Sequence, residues 1–139
     1  VDALFIATVA DRIRAVICRD PHHTLDAAAT QLCVAALDLR ALIDDNGSSS
    51  DLAFTLDVVA ALVHEYGIDP RWLLTGQYEG AMHRQALLLG EDRTKAGRQR
   101  VRGFVQEQYD RSREKRSYLS LPPTLEALRD KVASLLNSR

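Results

Sequence analysis

A chain of 139 residues, 46% hydrophobic and 27% charged, has the make-up of a soluble globular protein and room for one domain, or one small domain with an appendage. No apolar run approaches the roughly 20 residues a membrane span needs, and no charged-then-apolar leader opens the sequence, so no membrane partner and a cytoplasmic location are expected. The formal charge of −1 hides a split. Residues 1–79 carry five arginines against twelve carboxylates, a net of −7, whereas residues 80–139 carry thirteen basic and seven acidic residues, a net of +6. Segments with opposite partners, or one segment complementing the other, would both produce that pattern.

In chain order, Ala3 to Arg19 places Leu4, Phe5, Val9, Ile13, Val16 and Ile17 on a broad apolar stripe at helical spacing, ended by Pro21. Thr24 is an N-cap for a second helix, Leu25 to Leu32. A third helix is expected from about Ala36 to Asp45, closed by Asn46-Gly47. The loop Ser48-Ser49-Ser50 follows, with Ser50 capping a helix that begins at Asp51. Leu52, Leu56, Val59, Val63 and Tyr66 share one face of that fourth helix. Gly67 can close it in the left-handed conformation, Asp69 and Pro70 restart the chain as N-cap and first helical residue, and Gly76 stops the apolar turn Trp72-Leu73-Leu74.

The stretch Gly67-Ile68-Asp69-Pro70-Arg71-Trp72-Leu73-Leu74-Thr75-Gly76, behind an amphipathic helix, resembles the close of the Xre, or lambda repressor-like, helix-turn-helix family. Ala10-Asp11-Arg12-Ile13-Arg14-Ala15-Val16 resembles that family's opening helix. With Leu25 opening the two-helix unit, Ala28, Leu32, Val34, Leu39 and Leu42 fall on its apolar positions and Ala29 on the crossing position, where a longer side chain would push the helices apart. One residue departs from the pattern: Cys33 stands where the turn usually holds glycine. Positive φ costs a residue with a Cβ about 1 kcal/mol or more, so either a reshaped turn or a relic of the motif is expected.

The resemblance covers about residues 10–76 and implies a lambda repressor-like five-helix domain over 1–79. An all-α fold is expected, with that domain followed by a basic helical C-terminal region, 80–139, that lies beyond the resemblance and is expected to dimerise. The resemblance implies double-stranded DNA as partner, read by the third helix through the outward residues Ala35, Ala36, Leu37 and Arg40. Thr24, Gln31 and Arg12 would serve as phosphate contacts by analogy, or equally as caps and solvated face. Arg40 is a base reader or a partner of Asp38 or Asp44.

Beyond Gly76, residues 77–81 read as a linker and Met82 to Leu89 as a short helix stopped by Gly90. Val101, Phe104, Val105 and Tyr109 then share one face of a basic helix. Its arginines, Arg98 and Arg102 among them, either snorkel around that apolar stripe or add phosphate contacts. After Pro122-Pro123, Leu125, Leu128, Val132 and Leu135 follow the spacing of a short coiled-coil seam, the expected homodimer contact.

Catalysis is poorly served. No phosphate loop, nucleophile elbow or paired carboxylate in an apolar setting is present, and Cys18, His22, His23 and Cys33 match no zinc spacing. No enzyme, cofactor, metal or small-molecule substrate is therefore expected. Two functions remain open: a sequence-specific transcriptional regulator acting as a dimer, or a degenerate helix-turn-helix used as a protein-interaction module. In the second, the acidic surface docks a partner or the chain's own basic half.

Overall fold

A computed structural model describes residues 3–19, 24–44 and 50–119. Seven helices and no strand occur among them: α1 Ala3–Ile17, α2 Leu25–Leu32, α3 Ala36–Asp44, α4 Leu52–Tyr66, α5 Pro70–Thr75, α6 Gly80–Gly90 and α7 Lys95–Leu119. The chain divides into a compact unit, Val1–Tyr109, and a second unit, Asp110–Arg139, of which only the end of α7, residues 110–119, is described. The expectations placed on His22, His23, Asn46, Gly47, Ser48, Ser49 and the helix after Pro123 lie outside the described residues.

The first unit is built around α4. Leu56 and every residue from Val58 to His64 are buried, so this helix is enclosed on most sides rather than along one stripe. It packs against α1, α2, α5 and α6. The apolar stripe of α1, with Val9, Ala10 and Ile13 fully buried, closes one flank. Val101, Phe104, Val105 and Tyr109 of α7 join the same core, with the Phe5 and Tyr109 rings 5.0 Å apart. The core therefore continues well past residue 79, and α6 and the first part of α7 belong to it.

Local chemistry sets the joints. Thr24 accepts from the Ala27 amide at 3.1 Å, as an N-cap should. Gly67, at φ 66°, closes α4 by donating to the Val63 carbonyl at 3.0 Å. Asp69 caps α5 by accepting from the Arg71 and Trp72 amides, and Gly76, at φ 81°, ends it. The cap of α4 is Asp51 rather than Ser50, because the Asp51 carboxylate reaches the Phe54 amide at 2.7 Å.

Between α2 and α3 lie three residues, Cys33 to Ala35. Cys33 takes φ 59°, ψ 41° and is the only non-glycine residue at positive φ among those described. The conformation that glycine would favour is thus adopted by a side-chain-bearing residue. Relief of that strain outweighs the added freedom of the unfolded chain, so Cys33→Gly is expected to stabilise the fold by about 0.5 kcal/mol. Cys33→Val, β-branched at positive φ, is expected to cost about 1–2 kcal/mol. Urea denaturation midpoints check both.

Candidate functional site

The two helices α2 and α3 present the surface on which the sequence places most of its candidate residues. Their packed side is apolar: Ala28, Ala29, Leu32, Leu39 and Leu42 are buried and Val34 is half-buried against the core. The small side chain of Ala29, 2% exposed, lies in that packed side. This leaves Ala35, Leu37, Asp38, Arg40 and Asp44 exposed, with Leu37 at 81% of its full area, while Ala36 is half-buried. The inner side of α3 packs against α1 and α2.

Charge on that outward side is mostly negative among the described residues. Asp26, Asp38 and Asp44 are exposed there against a single cation, Arg40. Arg40 lies 3.9 Å from Asp26 across the two helices, so its partner is neither Asp38 nor Asp44. Both groups are more than half exposed, which makes the pair weak. Gln31 accepts a 2.8 Å hydrogen bond from the Tyr66 hydroxyl, and Thr24 is occupied as a cap. Arg12 is turned inward and donates to the Leu73 carbonyl at the end of α5, 3.2 Å away. Burial lowers its pKa from the ordinary value, partly offset by the charge of Asp11.

The first turns of the basic helix engage Arg98, Arg100 and Arg102 inside the unit. Arg98 donates to Glu65 at 2.5 Å and, across 66 residues of sequence, to the Leu32 carbonyl at 2.7 Å, which caps the end of α2. Arg102 donates to Asp57 of α4 at 2.6 Å and to Gln106 at 2.9 Å. Arg93 reaches Glu65 at 2.9 Å and the His64 carbonyl, and Arg100 pairs with Asp92. His64 is buried, its Nε2–H donating to the Asp92 carbonyl at 2.8 Å and its Nδ1 3.2 Å from Glu65. Arg98 and Arg102, which the sequence leaves as either snorkelling residues or phosphate contacts, are here the bolts that hold α7 to α2 and α4.

Glu65 is the hub of this arrangement and was not singled out from sequence. The signal that pointed to it was the opposite charge of the two halves, read without a position attached. Burial pushes the Glu65 carboxyl upward. Hydrogen bonds from Arg98 and His64 and the charges of Arg93 and Arg98 outweigh it, so its pKa lies below the ordinary 4.5. A depressed carboxylate stabilises the fold above the unfolded pKa and loses that contribution as pH falls through the folded one. Glu65→Gln is therefore expected to cost about 1–2 kcal/mol at pH 7, and to make stability fall less steeply below pH 4.5 than in the parent protein. Denaturant titrations at pH 7 and in the acid range test both statements. Asp92 is also lowered, by hydrogen bonds from the Thr94 side chain and amide and by Arg100, and adds a slope of the same sign in both proteins.

Among the described residues no group of three or more His, Cys, Asp or Glu is placed to hold a metal, and no helix is long and apolar enough to cross a membrane. The exposed α3 with its one loosely paired arginine, the αL turn at Cys33 and the internal clasp of α7 are thus the features on which a functional reading must rest. Comparison with known proteins finds no matching family model, no similar curated protein and no similar solved structure.

Proposed function

We propose that α1 to α5 form a lambda repressor-like helix-turn-helix domain whose α2–α3 face docks a protein partner carrying a basic, amphipathic helix. The observation that carries this reading is the charge of the face: three exposed carboxylates, Asp26, Asp38 and Asp44, surround one arginine already paired to one of them. Phosphate binding draws most of its affinity from lysine and arginine. The arginines that could have supplied it, Arg98 and Arg102, are committed to Glu65, Asp57 and the end of α2. Leu37, almost fully exposed in the first turn of α3, is the apolar anchor such a partner would cover. Carboxylates around it would pair with the partner's lysines and set its orientation.

Sequence-specific binding of double-stranded DNA by a homodimer is the second reading, and the exposure of α3 with Arg40 on its outer side favours it. The dimer contact in that reading is the C-terminal region. One experiment separates the two. The full chain, isotopically labelled, is titrated with a random DNA duplex and with a Leu/Lys amphipathic helical peptide, each at two salt concentrations. The docking reading expects the peptide to shift Leu37, Asp38 and Asp44 resonances, and Leu37→Ser to weaken it about tenfold. Duplex-induced shifts on α3 that fade steeply with salt and vanish in Arg40→Ala would establish the DNA reading instead.

A further inference from the structure

Where α1 ends, the α4–α5 joint and the start of α6 enclose a groove of about 400 Å³, within the size range of small-molecule sites. Its walls are Val16, Ile68, Trp72, Tyr78 and His83, and Arg19 stands at its edge. The polar groups of the wall are already satisfied by one another. His83 Nε2–H donates to the Gly67 carbonyl at 2.7 Å, which leaves Nδ1 to accept from the Tyr78 hydroxyl at 3.0 Å. That bond holds the Tyr78 ring edge-on to the imidazole, 5.4 Å between centroids at 85°. Asp69, buried in the floor, spends its two oxygens on the Arg71, Trp72 and Glu79 amides.

What remains unsatisfied is one cation. Arg19 is exposed, and among the described residues it makes no ion pair or hydrogen bond. A second cavity of similar size, about 390 Å³, is lined by Arg98 and Arg102, but there both guanidinium groups are already engaged. The first groove therefore offers a visitor aromatic and aliphatic walls, a ring held in place by a hydrogen bond, and a single free positive charge. A neutral apolar molecule would leave Arg19 idle, and a cation would meet no free carboxylate.

We propose that this groove binds a small organic anion with a flat apolar body, the body lying against Trp72, Ile68 and Tyr78 and the carboxylate meeting Arg19. Aromatic contact supplies the affinity and the charge-assisted hydrogen bond selects the anion. No residue of the α2–α3 face lines the groove, so occupancy leaves that face open, and success or failure here does not decide the docking reading.

Trp72 is the only tryptophan of the chain, so its emission reports the groove directly. The full-length protein is titrated with phenylbutyrate and with its neutral amide. Saturation below about 1 mM is expected for the acid, with the amide at least tenfold weaker. Arg19→Gln is expected to remove that tenfold difference while the circular dichroism spectrum stays unchanged. Ala15→Phe, an exposed lining position whose enlarged side chain fills the groove, is expected to abolish saturation by both compounds. No saturation by the acid, equal binding of acid and amide, or an acid preference that survives Arg19→Gln would each overturn the proposal.

Discussion

Replacing Gly97 by alanine is expected to lower the melting temperature by about 10 °C, whereas the same replacement at Gly103, six residues on in the same helix, is expected to raise it slightly. Gly97 sits where α7 starts, with its amide donating to the Thr94 hydroxyl at 3.3 Å. An added Cβ there would lie 2.0 Å from the Asp92 carbonyl oxygen and 2.8 Å from the Asp92 carbonyl carbon. That is backbone, so it cannot swing aside. Asp92 is fixed twice over: its carboxylate accepts from the Thr94 amide and hydroxyl, and its carbonyl accepts from buried His64. Moving Asp92 aside to admit the methyl group would break the His64 bond and leave a buried ring nitrogen unpaired, for a combined cost of about 3 kcal/mol. At Gly103 an added Cβ meets nothing within 4 Å, and α7 gains about 0.5–1 kcal/mol from alanine's helix preference. Opposite signs from one substitution at two sites of one helix, read in a thermal melt, are hard to obtain unless Gly97 is pressed against Asp92 as described.

Asp69→Ala is expected to cost a similar amount, about 3 kcal/mol, by a different route. One carboxylate oxygen accepts from the Arg71 amide at 3.1 Å, and the other accepts from both the Trp72 amide at 3.3 Å and the Glu79 amide at 2.9 Å. Loss of a helix cap alone costs about 1 kcal/mol. Here the side chain is buried and also ties the entry of α6 to the start of α5, so its removal leaves three amides without an acceptor. Asp69→Asn is expected to fall between, at about 1–2 kcal/mol, because its amide oxygen can serve one side while its NH₂ confronts N–H donors on the other. Denaturation midpoints of the three proteins should rank parent, Asn, Ala. An Asn variant as stable as the parent would show that one of the three bonds contributes nothing.

The joints of the fold were legible because capping is local chemistry. Gly67, Asp69, Pro70 and Gly76 each act within one turn of the helix they begin or end, and each does what its residue type requires. The buried set Ala28, Ala29, Leu32, Leu39 and Leu42 was legible for the same reason, since spacing along a helix decides which residues share a side. Cys33 was legible as a position and not as an outcome: sequence shows that glycine is missing, whereas only coordinates show that the thiol-bearing residue accepts φ 59°. The clasp of α7 was beyond sequence reasoning. Arg98 meets its two acceptors across 33 and 66 residues, and no spacing rule links residues that far apart. The same holds for Arg40, whose two near neighbours in sequence are not its partner, because Asp26 arrives from a different helix. Charge balance left open whether the two halves complement each other or meet opposite partners, and it could not name the contacts.

The closing of the end of α2 by Arg98 has a consequence for how the protein is made. During synthesis from the N-terminus, α1 to α5 emerge while Glu65, Asp57 and the Leu32 carbonyl of α2 still await the guanidinium groups that satisfy them. The apolar surface later covered by Val101, Phe104 and Val105 is likewise bare at that stage. A nascent chain halted near residue 79 would therefore hold a loose, sticky intermediate, and the last step to the native state would wait on the ribosome delivering α7.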